Sequence, residues 1–209
     1  MDGSSEPLPH GRPAPSDAPI HPLIAARWSP RAFSGRTVEA EKVRALFEAA
    51  RWAPSSFNEQ PWRFLVATAD EPEWLERLQG YLTPGNAAWA SRAPVLIASA
   101  YRTHFTKREG ENRMAFRDLG AAEQNLVLQA YAEGLVAHQM AGFDRERLQE
   151  ELLPEGFEPG SMTVVGYPGD PEELDEKLRE REGRPRTRKP RSDFVFREEW
   201  GEGAGFLEG

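Results

Sequence analysis

The chain has 209 residues with 26 Lys and Arg against 34 Asp and Glu, a formal charge of -8; with a pI near 5.2 it is a poor match for nucleic-acid phosphate. Hydrophobic residues make up 39% and mean hydropathy is -0.65, with no apolar run long enough to span a bilayer, yet six Trp and eleven Phe supply the large apolar surfaces of a packed core. Cys is absent, which excludes disulfides, thiolate nucleophiles and Fe–S ligation, and His10, His21, His104 and His138 lack metal-ligand spacing and read as surface or partly buried imidazoles.

Residues 1–19 are rich in Pro, Ser, Gly and Asp without periodicity. Such a segment cannot bury enough to offset its ordering entropy, so a disordered N-terminal arm is expected, followed by one folded domain over 20–209. The arm lacks an apolar signal core, which makes the cytoplasm the expected location. A short helix is expected from Ile20 to Trp28, stopped by Ser29-Pro30. Thr37 is placed to cap a second helix, with Val43, Leu46, Phe47 and Ala50 at helical spacing and Pro54 as its end. Trp62–Thr68 reads as a strand, Pro72–Leu82 as a helix, and another short helix follows Asn86.

Ala93–Tyr101 is nearly all apolar and suits a buried central strand. The charged stretch Arg102–Arg113, containing Gly110, reads as a loop long enough to act as a lid, or equally as an exposed surface loop. Met114–Glu133 is the longest helix candidate. Leu119, Ala122, Leu126, Leu128, Ala130 and Tyr131 surround most of its cylinder, so it should lie centrally or in a subunit interface. Gly134 is its expected stop. Leu135–Met140 suggests a strand, Asp144 a helix cap, Met162–Gly166 a strand, Pro171–Glu182 an exposed charged helix, and Phe194-Val195-Phe196 a late strand. Helices and strands alternate without a regular βαβ rhythm, which favours α+β.

Two segments combine cations and hydroxyls in a way that suits a phosphate. Arg27-Trp28-Ser29-Pro30-Arg31 offers two guanidinium forks and a hydroxyl near a helix end. Arg184-Pro-Arg186-Thr-Arg188-Lys-Pro-Arg191 is a concentrated basic run in an acidic protein. Each is also compatible with a bland reading, a helix-end turn for the first and a solvated charge run for the second. A third segment, Ala53-Pro54-Ser55-Ser56-Phe57-Asn58-Glu59-Gln60-Pro61-Trp62, could aim amides and hydroxyls at the polar edge of a heterocycle, or be a plain turn.

The order of these segments resembles the nitroreductase family of flavoproteins. The resemblance rests on Arg27-x-Ser-x-Arg31 and on Pro54-Ser-Ser-x-Asn-x-Gln-Pro-Trp62. It continues through Asn86 ahead of Ala93-Pro94, Asp118-Leu-Gly-x-Ala-x-x-Asn-Leu126, Gly134-Leu135, Gly142-Phe143-Asp144, Gly166-Tyr-Pro168 and the basic run. It implies an α+β nitroreductase-like fold, a central, mostly antiparallel sheet flanked by helices, in an intertwined homodimer with FMN at the subunit interface. Under it, Arg27, Trp28, Ser29 and Arg31 surround the FMN phosphate and ribityl chain, and Arg186 and Arg188 complete the phosphate site. Pro54, Ser55, Ser56 and Asn58 reach the flavin from the partner subunit, Asn86 approaches its pyrimidine side, and the Gly142 amide points at N5. Trp89 stands where many relatives place a cation near the ring.

The activity this resemblance implies is transfer of hydride from NAD(P)H, a transient reductant, through flavin N5 to a small electrophilic acceptor such as a nitroaromatic or quinone. No catalytic side chain and no metal is required. The rival readings are a flavin-dependent dehydrogenase or oxidase of a specialised metabolite, separable by quinone turnover, and a non-catalytic flavin-binding module whose reduced flavin would never reoxidise with acceptors.

Overall fold

The computed structural model describes residues 11–205. Four strands, β1 (Trp62–Thr68), β2 (Val95–Arg102), β3 (Val136–Met140) and β4 (Phe157–Gly166), form one sheet in the order β1-β2-β4-β3. Every neighbouring pair is antiparallel. The helices are α1 (Pro22–Ala26), α2 (Ala40–Arg51), α3 (Pro72–Gln79), α4 (Pro84–Ala90), α5 (Ala115–Ala132), α6 (Arg145–Leu152) and α7 (Glu176–Gly183). The class is α+β, and the sheet is antiparallel throughout the described residues. None of these helices is long and apolar enough to cross a membrane.

Both faces of the sheet are covered, because side chains alternate along each strand. In β2, Val95 and Ile97 point to one core, while Leu96 and Ala98 point to the other. The first core is filled by α2 and α5: Leu46 and Ala50 meet Leu119, Ala122, Leu126 and Ala130 above the sheet. That arrangement answers to the nearly all-round apolar character of α5. The second core gathers Leu78, Tyr81, Trp89, Val136, Met162 and Val164 with the buried ring of Phe33.

The β2–β4 register shifts between Ala98 and Ala100. The cause lies opposite, at Gly160, where an added Cβ would sit 2.4 Å from both Leu119 Cδ2 and Ser99 Oγ. Ser99 Oγ accepts from the Ser161 amide at 2.8 Å and donates to the buried Glu123 carboxylate at 2.5 Å. Ser161 Oγ and Gln139 Nε2 donate to the same carboxylate, so this interior acid is satisfied.

Several sequence expectations shift. The helix expected from Ile20 to Trp28 is only Pro22–Ala26, capped by His21 through Nδ1; beyond it the backbone is held extended by distant side chains described below. The second helix begins at Ala40 with no side-chain cap, rather than under Thr37, since Glu39 spends its carboxylate on Arg36 and on the Tyr167 hydroxyl. Asn86 lies within α4, not ahead of it. β4 starts at Phe157, five residues before the expected Met162, through Pro159 and Gly160.

Pro171–Glu182 splits into a short 3-10 turn, Pro171–Glu173, and α7. Its last acid, Glu182, is 4% exposed instead of solvated. Phe194-Val195-Phe196 forms no strand. The Phe194 and Val195 amides donate to Arg191 O in a tight turn, which removes them from any ladder. Of the expected arm, residues 1–10 lie outside the described residues, while Arg12 and Ala14 donate backbone hydrogen bonds to Ala26 O and Ala25 O.

The chain after β4 returns to the Arg27–Phe33 segment through a tight contact. The Gly169 amide donates to Ala32 O at 2.9 Å, and a Cβ on Gly169 would lie 2.5 Å from the Phe33 carbonyl carbon. The obstructing atoms are backbone and cannot rotate away. Gly169→Ala is therefore expected to destabilise the fold by about 1–3 kcal/mol, read as a lower urea midpoint; an unchanged midpoint would mean that the contact is not held.

Candidate functional site

The segment Arg27–Ala32 has no secondary structure of its own, yet its backbone is held at nearly every position. Tyr131 of α5 donates its hydroxyl to Trp28 O at 2.8 Å; burial pushes that phenol up to about 12, so it stays a neutral donor. His138 of β3 bonds Pro30 O through Nδ1 at 2.9 Å. Burial pulls this imidazole down to about 4, and the charges of Arg31 and Arg27 work in the same direction. Glu182, at the end of α7, accepts from the Arg31 amide at 2.9 Å and from the Ala32 amide at 3.3 Å. Arg186 donates to Ala25 O at 2.7 Å and to Arg27 O at 2.9 Å. Four distant side chains thus replace the ladder or helix bonds that the backbone lacks.

Beside this segment opens a cavity of about 430 Å³, lined by Arg27, Arg186, Thr187, Arg188, Lys189 and Arg191 together with residues 14–18, Ile20, Ile24 and Phe194. Asp17, the one acid among the described lining residues, pairs with Arg191 at 3.9 Å. Arg27, Arg186 and Arg188 form no ion pair among the described residues. Burial lowers the Arg27 pKa, with Arg188 adding to the effect. Arg186 is lowered by burial first and then by the charges of Arg27 and Arg188. These three like charges are held together without a carboxylate paired to any of them among the described residues, an arrangement that favours an anion.

The other sequence candidates fall into three places. Ser29 Oγ accepts from Arg27 Nη1 at 3.3 Å, so it joins the cationic group through Arg27. Trp28 turns its ring beneath Arg12, whose guanidinium carbon lies 5.3 Å from the ring centre. Arg31 turns away from the cavity: its Nη1 is 3.8 Å from the Glu182 carboxylate and its guanidinium carbon 5.9 Å from the Trp89 ring. Trp89 itself is 2% exposed and stacks on Phe33 and His138, so it is a core residue.

Asn86 and Gly142 meet each other. Asn86 Nδ2 donates to Gly142 O at 2.9 Å, and Thr83 Oγ1 donates to the same oxygen at 3.1 Å. A Cβ on Gly142 would lie 2.6 Å from Asn86 Nδ2, so only glycine leaves room for this approach. Asn86 and Thr83 thus hold the Gly142 carbonyl, while the Gly142 N–H, which belongs to the preceding peptide unit, donates to no acceptor among the described residues.

The Pro54–Asn58 segment is remote from the Arg27 cluster. The Ser56 amide donates to the fully buried Asp118 at 2.8 Å, and Ser55 Oγ accepts from the Gln60 amide. Phe57, Asn58 and Gln60 all have φ near +50°, a strained run for residues with side chains. The 102–113 loop closes on this turn: the Thr106 amide donates to Glu59, and the Arg108 guanidinium lies 4.0 Å from the Phe57 ring and 3.9 Å from that of Phe105.

Residues 24–167, which carry the Arg27 segment, the Pro54 turn, Asn86 and Gly142, match the nitroreductase family. The chain belongs to that family. A protein from Rhodopseudomonas palustris, provisionally named NADH dehydrogenase/NAD(P)H nitroreductase, is 28% identical over 177 residues, covering 76% of this chain and 89% of the relative. An uncharacterised 15.4 kDa protein from Mycolicibacterium smegmatis is 37% identical over 134 residues, or 62% of this chain and 86% of its own. Among solved structures, an oxidoreductase described as containing FMN superposes with a TM-score of 0.83 at 37% identity, covering 88% of this chain and 94% of that one. A provisionally named nitroreductase from Desulfovibrio desulfuricans, described as in complex with FMN, gives 0.65 at 26%, covering 88% and 99%.

Three residues that position the site carry no motif signal in this chain: Tyr131, His138 and Glu182. Glu182 did leave a trace. It stands four residues after Leu178, which is buried in the second core, so helical spacing puts the acid on the inward face.

Proposed function

We propose that this protein is an FMN-dependent oxidoreductase that takes reducing equivalents from NAD(P)H and delivers them as hydride to a small electrophilic acceptor such as a nitroaromatic or quinone. The observation that carries the reading is the Arg27–Arg186–Arg188 group, three guanidinium groups that line one cleft and form no ion pair among the described residues. Such a group matches a phosphate monoester, and the Gly142 N–H, which has no acceptor among the described residues, matches a ring nitrogen. The residues present therefore fit FMN.

When bound, FMN supplies a ring that accepts and returns two electrons with a hydride at N5. The chain's own work is binding and orientation. Arg27, Arg186 and Arg188, with Ser29, hold the phosphate, and their charge-assisted hydrogen bonds contribute about 1.5–3 kcal/mol each. Asn86 holds the Gly142 carbonyl and so helps to fix the turn whose Gly142 N–H would donate at N5, where charge changes during reaction. No side chain is assigned a proton-transfer role.

The Pro54–Asn58 turn lies apart from the Arg27 cluster, and Phe57 is 73% and Phe116 61% exposed near the start of α5. Both features support a homodimer in which this turn approaches the partner's cofactor. Phe105 and Arg108 then border the acceptor's place.

The test is an absorption spectrum of the purified protein, with the chromophore released by denaturation and identified, beside a measured solution mass. Oxidised-flavin bands, about one FMN per chain and a dimer mass are expected. A colourless protein that also fails to bind added FMN would sink the reading.

A further inference from the structure

The residues that precede α1 close the outer side of the cationic cleft. The Arg12 amide donates to Ala26 O at 3.1 Å and the Ala14 amide to Ala25 O at 2.9 Å. The Arg12 guanidinium forks onto the end of α7, with Nη1 on Glu182 O at 2.5 Å and Nη2 on Gly183 O at 2.9 Å. Carbonyls at a helix C-terminus favour a cation, so this anchor is well matched. The ring of Trp28 lies against the same guanidinium. From this anchor, residues 14–18 line the same cavity as Arg27 and Arg186–Lys189.

Arg12 also acts on Arg186, whose Nη1 donates to Arg12 O. With Ala25 O and Arg27 O, three carbonyls fix the plane of the Arg186 guanidinium. Arginine has five N–H donors; three are used here, which leaves Nε–H and one Nη2–H for an anion. Carbonyls aim the cation without neutralising it, as a carboxylate would. The wall formed by Ala14, Pro15 and Ala18 also limits water around these charges, which strengthens their hold on a phosphate.

We propose that Arg12 is a positioning residue of the cofactor phosphate site and that residues 12–18 form a strap that slows release of the phosphate end. The proposal rests on the FMN reading given above. It predicts an effect confined to ligands that carry the phosphate, which a general loosening of the fold would not produce.

The experiment compares full-length wild type with Arg12→Ala and, separately, Ala14→Pro, which removes the bond to Ala25 O without touching a charge. Flavin release is followed by recovery of free-flavin fluorescence, and riboflavin, which lacks the phosphate, serves as the control ligand. Both variants are expected to release FMN about tenfold faster, with riboflavin affinity and the melting of the apoprotein unchanged. An unaltered FMN release rate in both variants overturns the strap, as does a parallel loss of riboflavin affinity. If wild type binds neither flavin, the cofactor reading itself has failed.

Discussion

Arg27→Ala is expected to lower FMN affinity by about two orders of magnitude while leaving the apoprotein as stable as before, or more so. The first effect follows from losing up to two charge-assisted hydrogen bonds of about 1.5–3 kcal/mol each. The second has the opposite sign because Arg27 sits half-buried beside Arg186 and Arg188 with no carboxylate partner, and burial and repulsion already lower the pKa of Arg27 and Arg186. Its one described side-chain bond, to Ser29 Oγ at 3.3 Å, is long for a bond of consequence. Isothermal titration with FMN and a thermal melt without it would measure the two effects. A variant that melts lower yet binds FMN as tightly would reverse the assignment and make Arg27 a structural residue.

The second large effect is a loss of stability in mild acid centred on His138. Its folded pKa lies near 4, chiefly through burial, against about 6.5 in an unfolded chain. A base whose pKa is depressed by folding binds protons more readily when unfolded. Stability is therefore full above pH 6.5, falls as pH drops through the window from 6.5 to 4, and levels off below it. The difference corresponds to about 3 kcal/mol. Protonation would also place a third cation beside Arg31 and Arg27, a repulsion that the Nδ1–H bond to Pro30 O only partly offsets. Urea midpoints at pH 7 and pH 4.5 should fall steeply for wild type and much less for His138→Gln. Equal slopes for the two proteins would show that the imidazole carries none of the acid sensitivity.

The sheet was legible where hydrophobic pattern and burial agree. Trp62–Thr68 and the apolar run through Ala93–Tyr101 became β1 and β2, and the all-round apolar Met114–Glu133 stretch became the central α5. Pattern failed where a distant residue sets the local structure. β4 begins among Glu158, Pro159, Gly160 and Ser161, which read as loop, because Ser99 and Glu123 satisfy the polar groups and Gly160 makes room at the register shift. Likewise, Arg27 and Trp28 fall within the expected first helix, but Arg186 and Tyr131 take up their carbonyls from outside it.

For the candidate site, residue order pointed to groups that the fold does bring together: Arg27 with Arg186 and Arg188, and Asn86 with Gly142. It overstated Arg31, whose side chain is engaged by Glu182 and the face of Trp89. Arg12 was missed because a Pro- and Ser-rich stretch gives no periodic signal, and its anchor on the end of α7 is 170 residues away in the chain.

That separation also sets when the cleft can exist during synthesis. Arg27 emerges from the ribosome early, but the guanidinium that bonds its carbonyl is 159 residues further on. β2 must likewise wait for β4, which arrives after α5, β3 and α6. Pairings so distant in sequence close late and slowly. A nascent chain that has not yet exposed Arg186 and Arg188 holds half of the cationic cleft, and an anionic ligand meets the whole site only once that stretch has emerged.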